Sequence, residues 1–201
     1  MMSQEERCHH EQHGPGEQGR RPSSFRLHDP QRVFDTLKFE SGDIFLDLGC
    51  GPGDYSMAVA GIVGNSGLVY AVDKSSMMVA CLTEKAAAEG LENIKAMVSD
   101  ITEKIPVEDN SIDICLLATV FHVPEVAQGA RRLFEEIRRV LKPFGILALI
   151  ECKKESGSFG PPLHMRWSPK EIEAVLAGEQ LQKIRLTDLG NTYLLEFVNV
   201  K

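Results

Sequence analysis

Nine consecutive residues, Phe45-Leu46-Asp47-Leu48-Gly49-Cys50-Gly51-Pro52-Gly53, limit what this chain can fold into more than any other stretch. An apolar run interrupted only by Asp47 reads as a strand buried on both faces. It gives way to glycines at alternate positions, 49, 51 and 53, and glycine lets the backbone take positive φ and lets a ligand come close. The residues from Asp54 to Ile62 read as a helix. Strand, Gly-rich turn and helix in this order build the ligand site of an open α/β sheet at the carboxyl end of its first strand.

The spacing of the turn bears on the ligand. A dinucleotide fingerprint runs G-x-G-x-x-G and seats a diphosphate on the helix N-terminus. Here the third glycine comes one residue early, and Asp54 stands where the last would be. Asp47 and Asp54 flank the turn with negative charge, which suits a sulfonium and an α-ammonium group better than a diphosphate. Asp73, at the end of the next strand, is placed to accept hydrogen bonds from two ribose hydroxyls.

The rest of the chain supplies the alternation such a fold needs. Asp29-Pro30 is an N-cap followed by proline at the first helical position. Strands are expected at 44–48, 68–72, 94–98, 112–119 and 146–151, with helices at 54–62, 75–89 and 126–141 among them. Lys142-Pro143-Phe144-Gly145 is expected to end the last of these helices. Ser168 and Glu171 form a capping box that opens a helix to about residue 177, and two strands near 181–187 and 192–199 close the chain as an antiparallel pair. The expected architecture is Rossmann-like: a doubly wound, seven-stranded sheet, mostly parallel, with one antiparallel strand at or near its edge.

At 201 residues the chain fits one well-buried domain. Residues 1–24 are polar and His-rich and read as a flexible tail, leaving 25–201 as the folded unit. A net charge of −7 argues against non-specific binding to nucleic acid or anionic membrane. Neither a membrane span nor a signal peptide is legible. Cysteines 8, 50, 81, 115 and 152 form no C-x-x-C pair, a pattern that fits reduced thiols in a cytoplasm.

On the motif Leu46 to Gly53 the chain resembles the class I S-adenosylmethionine-dependent methyltransferases, of the broad group that includes ubiquinone and menaquinone biosynthesis enzymes. The resemblance extends to the stretch Asp73-Lys74-Ser75-Ser76-Met77-Met78, to Asp100-Ile101, and to Val140-Leu141-Lys142-Pro143-Phe144-Gly145. The last looks like the family's R-V-L-K-P-G-G, with Phe144 as a departure of no evident consequence. The resemblance implies a cofactor site of Asp47, Gly49, Cys50, Gly51, Gly53, Asp73, Lys74, Met78, Asp100, Ile101, Ala118 and Thr119. In it Met78 packs on the adenine, Asp100 accepts from the adenine amino group under cover of Ile101, and the backbone at Ala118 and Thr119 meets the methionine moiety. The alternative for Asp100 is a cap on the turn that follows it.

The implied reaction is in-line methyl transfer from S-adenosylmethionine to a small-molecule acceptor, giving S-adenosylhomocysteine. A general base is needed only for an acceptor that arrives protonated. His122 and His164 are the candidates, with Glu151 and Cys152 at the end of the fifth strand facing the same cleft. The bland readings are a loop histidine holding a backbone group and an ordinary connection around Trp167. Cys8, His9, His10 and His13 bring metal-ligand types together in one short segment. Thiol-assisted metalloid methylation and a non-enzymatic cofactor sensor are the competing functions.

Overall fold

The computed structural model describes residues 23–156 and 160–201. Cys8, His9, His10 and His13, and all of the expected tail before Ser23, lie outside them. Seven strands form one sheet: β1 (Ile44–Leu48), β2 (Leu68–Asp73), β3 (Ile94–Val98), β4 (Ile112–Ala118), β5 (Leu141–Cys152), β6 (Leu181–Asp188) and β7 (Thr192–Asn199). Their spatial order is β3-β2-β1-β4-β5-β7-β6. β1 to β5 pair in parallel, and β7 runs antiparallel to both β5 and β6, so the reversed strand sits one in from the edge. The strand order reverses direction between β1 and β4, the point where such sheets open a crevice at their carboxyl ends.

Side-chain alternation divides the core between two helical layers. Leu46, Leu48, Cys115, Leu117, Leu147, Leu149, Leu195 and Phe197 point to one face and pack with α4 (Pro124–Gln128), α5 (Ala130–Val140) and α6 (Pro169–Val175). Phe45, Val69, Ile114, Leu116, Ala148, Ile150 and Leu194 point to the other, against α1 (Pro30–Leu37) and α2 (Asp54–Val63). α3 (Ser76–Ala88) covers β2 and β3 on the second side, with Leu82 packed against Cys50 and Ala71. Strands buried on both faces need apolar runs, and residues 44–48 (broken only by Asp47), 114–118 and 146–150 supply them in β1, β4 and β5.

The caps expected from sequence are in place. Asp29 accepts from the Gln31 amide, Ser75 from that of Met78, and Ser168 and Glu171 complete a reciprocal capping box.

Two boundaries differ. The helix expected over 126–141 is broken at Gly129 into α4 and α5. Glycine is a weak helix interior residue, and here the chain packs so that a Cβ on Gly129 would touch Glu125 O and Thr102. β5 begins at Leu141 rather than Ile146, because Leu141 already pairs with Ile112 before the ladder resumes at Ile114 and Ile146. The four residues expected as a helix stop therefore bulge out of the strand, and Phe144 takes φ 64° and is 75% exposed. The departure at Phe144 thus has a consequence, since a side chain occupies a left-handed position that glycine would fill without strain.

Candidate functional site

The turn after β1 is built by backbone geometry. Gly49, Gly51 and Gly53 take φ values of 74°, 53° and 79°. Gly49 and Cys50 both donate to Val72 O, at 2.7 and 3.1 Å, which carries the strand's direction into β2. The glycines then do different work. A Cβ on Gly49 would strike Val120 at 2.7 Å, and one on Gly53 would overlap Leu82. Among the described residues, a Cβ on Gly51 would meet no atom within 4 Å, so that glycine faces the cavity rather than a packed neighbour. The first and third are required by packing, while the middle one leaves room for a ligand.

Asp73 ends β2 and ties this turn to the start of α3. Its Oδ2 accepts the Gly51 N–H at 2.9 Å and its Oδ1 accepts the Ser75 N–H at 2.8 Å. Each carboxylate oxygen has a second lone pair, so both remain able to accept a hydroxyl. Asp47 is only 2% exposed and lies beneath the turn, where Ser56 Oγ donates to its Oδ2 at 2.7 Å. Burial pushes its carboxyl up to about 7, with the charges of Asp73 and Asp54 adding to the shift and the Ser56 bonds opposing it. Asp47 is thus placed to act through the field under the turn rather than by lining the cavity.

A cavity of about 390 Å³ opens above this turn. Gly49, Cys50, Gly51 and Pro52 form its floor, Ala118, Thr119 and Val120 one wall, and His122 and Cys152 its inner end. Thr119 takes φ 53° and donates its N–H to Ile150 O at 2.7 Å. A β-branched residue in that region stores strain of about 1–3 kcal/mol, held here at the cavity wall. Burial, with Asp47 and Asp73 nearby, pushes the Cys50 thiol up, keeping it a neutral thiol.

At the inner end His122 is 4% exposed and Glu151 fully buried. Glu151 Oε2 lies 3.0 Å from His122 Nδ1, while Oε1 accepts the amides of Phe121 at 2.8 Å and His122 at 3.3 Å. His164, by contrast, is exposed on the 3-10 turn Leu163–Met165 and is not among the cavity's lining residues. The connection that carries it does reach the site through Gly160 and Pro161. Buried Arg166 holds that connection, donating to Pro161 O, Lys153 O and Glu155 O.

The adenine-side expectations are distributed differently. Met78 is half-buried in the first turn of α3, Lys74 is exposed, and Ile101 is buried in the core. Asp100 is exposed, and its Oδ1 accepts both the amide and the hydroxyl of Thr102 at 2.9 and 2.7 Å. That is the turn-capping geometry; it draws the Asp100 carboxyl below its usual range and uses one of its two oxygens.

Sequence reasoning missed the roof. Ser23, Ser24 and Leu27 line the cavity, on a segment anchored by His28 between Tyr55 Oη at 2.6 Å and Thr192 Oγ1 at 3.0 Å. Phe25 packs edge-on to Tyr55 with ring centroids 5.0 Å apart. The signal was present in the apolar Phe25 and Leu27 just ahead of the Asp29-Pro30 cap.

Cys50 and Cys152 reach the cavity, whereas Cys115 lies fully buried within β4. Cys50, Cys115 and Cys152 are free thiols and Cys81 is disulfide-bonded, contrary to the expectation of reduced thiols, which spacing alone could not test. Among the described residues no group of three His, Cys, Asp or Glu side chains is arranged to hold a metal ion, and no helix is long and apolar enough to cross a membrane.

A family profile described as "Methyltransferase domain" matches residues 39–189. The chain belongs to that methyltransferase family. A solved S-adenosylmethionine-dependent methyltransferase from Aquifex aeolicus is 33% identical, with a TM-score of 0.80 over 90% of this chain and 94% of that one. A demethylmenaquinone methyltransferase from Lactobacillus johnsonii is 30% identical over 68% of this chain and 54% of its own length. One from Staphylococcus aureus is 34% identical over 62% of this chain and 49% of its own. The chain thus spans about half the length of the curated relatives it matches. The [4+2]-cyclase SpnF, 18% identical with a TM-score of 0.70 over 84% of this chain, shares the fold.

Proposed function

We propose that this chain binds S-adenosylmethionine at the Gly49–Gly53 turn and passes its methyl group to a small-molecule acceptor in the adjoining cavity. The observation that carries the reading is the pairing of Gly51, open on its outer face, with Asp73, whose two oxygens hold the turn and keep lone pairs for ribose hydroxyls. Gly49, Cys50 and Gly51 would hold the methionine end, Asp73 the ribose, and Met78 and Ile101 the adenine. The buried carboxyl of Asp47 supplies negative potential beneath a cation. The cofactor, when bound, supplies an electrophilic methyl on a sulfonium that loses its charge on transfer.

The protein's share of the chemistry is alignment and exclusion of water. Leu27, Val120 and Pro161 give the cavity beyond the turn apolar walls. The names of the menaquinone-pathway relatives support a small organic acceptor for this chain too. Calorimetry with S-adenosylmethionine, S-adenosylhomocysteine and NAD⁺ tests the reading. The two adenosyl ligands are expected to bind and NAD⁺ not to. Binding of NAD⁺ alone would overturn it, and formation of S-adenosylhomocysteine across an acceptor library would establish turnover.

A further inference from the structure

We propose that Ser24, on the roof of the cavity, binds the methyl donor: its hydroxyl, with that of Ser23 beside it, holds the carboxylate of the donor's amino-acid end. The inference rests on reading the cavity as the S-adenosylmethionine site, and it deepens that reading by naming what meets the methionine end from above.

The roof is a single 3-10 turn, Ser24–Arg26, closed by the amides of Arg26 and Leu27, which donate to Ser23 O and Ser24 O at 3.0 Å each. With three residues per turn, neighbouring side chains point about 120° apart. Phe25 is turned toward the rings of Tyr55 and Phe34, at centroid separations of 5.0 and 6.2 Å, while Ser24 lines the cavity. Ser24 is only 8% exposed, and its hydroxyl has no hydrogen-bond partner among the described residues. The sealed side-chain atoms without a partner among those residues are Glu196 Oε2 and Asn199 Oδ1, so the Ser24 oxygen is open to the cavity instead. A hydroxyl so enclosed and unpaired calls for a polar partner there. Ser23 Oγ accepts the Phe25 N–H at 3.4 Å and keeps its own hydrogen to donate.

The floor decides which polar group that partner is. Asp47 lies beneath the turn, Asp54 opens α2 and Asp73 holds Gly51. The floor therefore attracts a sulfonium and an α-ammonium group and repels a carboxylate. The donor's ammonium and carboxylate share one carbon. With the ribose at Asp73 and the ammonium drawn down, the carboxylate is turned up toward the roof. No lysine or arginine is among the described lining residues, so neutral hydrogen-bond donors must hold it. Two adjacent hydroxyls offer two hydrogens to a group with two oxygens, and hydrogen bonds to an ionised acceptor are the stronger kind. The turn that presents them is fixed from behind, since His28 bridges Tyr55 of α2 and Thr192 of β7.

The test is calorimetry on the full chain with two probes that differ only in the carboxylate. One is S-adenosylhomocysteine, and the other is its decarboxylated form, S-adenosylthiopropylamine, which keeps the ammonium. Ser24→Ala is expected to lower affinity for S-adenosylhomocysteine by about tenfold or more and to leave that for the amine probe unchanged. Ser24→Thr keeps a hydroxyl and is expected to restore most of the loss. Equal losses for both probes, or none for either, overturn the proposal. A loss in Thr119→Val with none in Ser24→Ala also overturns it, and would move the carboxylate to the wall after β4.

If Ser24→Ala fails to fold, wild type decides. The acidic floor by itself favours the more cationic amine probe, so a wild type that prefers S-adenosylhomocysteine supports a dedicated carboxylate site and one that prefers the amine overturns it. Hydrogen exchange gives a second reading. S-adenosylhomocysteine should slow exchange in the segment Ser23–Leu27 and the amine probe should not; equal protection by the two overturns the proposal as well. Failure of both S-adenosylmethionine and S-adenosylhomocysteine to bind wild type overturns the methyl-transfer reading itself, a result distinct from binding that ignores the carboxylate.

Discussion

Gly51 donates its backbone N–H to Asp73 Oδ2 across 2.9 Å, tying the exposed tip of the β1–α2 turn to the end of β2. Asp73 therefore has a structural duty as well as a place for a ribose. Asp73→Asn keeps the shape, but its NH₂ must face either the Gly51 or the Ser75 amide. The expected outcome is a loss of about 1–3 kcal/mol of stability from an unsatisfied amide, with at least a tenfold loss of S-adenosylmethionine affinity. Chemical denaturation and calorimetry on the same variant separate the two. Unchanged affinity in a destabilised protein would remove Asp73 from the ligand site.

The three glycines of the turn separate into packing and ligand roles, and alanine substitution distinguishes them. Gly51→Ala meets no atom of the described residues and costs about 1–2 kcal/mol for the left-handed backbone alone. Gly53→Ala adds an overlap with Leu82, worth about a further 1–3 kcal/mol of overpacking. The expected pattern is a well-folded Gly51→Ala with weakened donor binding beside a clearly less stable Gly53→Ala. Thermal melts and calorimetry check it, and a Gly51→Ala protein that binds normally would show that the ligand does not approach this backbone.

Asp47 should make stability fall as pH rises. Burial, then the Asp73 and Asp54 charges, raise its folded-state carboxyl from 3.8 to about 7. Between those values the folded chain binds a proton that the unfolded chain has released, so stability declines with rising pH and levels off above about 7. Asp47→Asn removes this contribution, and its stability relative to wild type should rise across that window. Arrival of a cationic ligand over the turn favours the charged carboxylate and expels the proton. Near pH 6.5 the heat of S-adenosylmethionine binding should consequently vary with the buffer's ionisation enthalpy, and in Asp47→Asn it should vary less.

Much of the fold was legible because its elements carry their own punctuation. Asp29-Pro30, Ser75, and Ser168 with Glu171 mark helix starts by side-chain chemistry confined to a few residues. The two-faced burial of β1 and β4 is written in their continuous apolar runs. The start of β5 was not legible, because Leu141 joins the sheet through a ladder with Ile112, a partner that local pattern does not reveal. In the site, the Gly-rich turn and Asp73 could be read from spacing alone. His122 and His164 could not be ranked, since the difference between them is the Glu151 carboxylate, 29 residues away from His122 in the chain. The roof at Ser23–Leu27 escaped for the same reason: His28 reaches Thr192 across a separation of 164 residues.

Phe144 offers a gain in stability. It holds φ 64° on the exposed bulge of β5 and buries little of its ring. Phe144→Gly relieves about 1–2 kcal/mol of left-handed strain, partly offset by the greater freedom of glycine in the unfolded chain. The expected net effect is up to about 1 kcal/mol of stabilisation, or about 2–4 °C in Tm for a chain of this size. A melt that falls would show that the ring makes contacts worth more than the strain.

His28 should make the roof of the cavity acid-labile. Its two ring nitrogens sit against the Tyr55 and Thr192 hydroxyls, and a neutral imidazole satisfies both, donating from one nitrogen and accepting at the other. Burial lowers its folded-state value from 6.5 to about 4, against the opposing pull of Asp29. The sign is therefore opposite to that of Asp47. The unfolded chain takes up the proton first, so the contribution is complete above about 6.5 and is lost as pH falls toward about 4. His28→Asn should be destabilised at neutral pH, and its deficit relative to wild type should shrink as pH falls from 6.5. Hydrogen exchange in the segment Ser23–Leu27 should rise in wild type over the same interval, reporting release of the roof ahead of the sheet. Protection that stays constant down to pH 4 would show that the His28 bonds do not hold the roof in place.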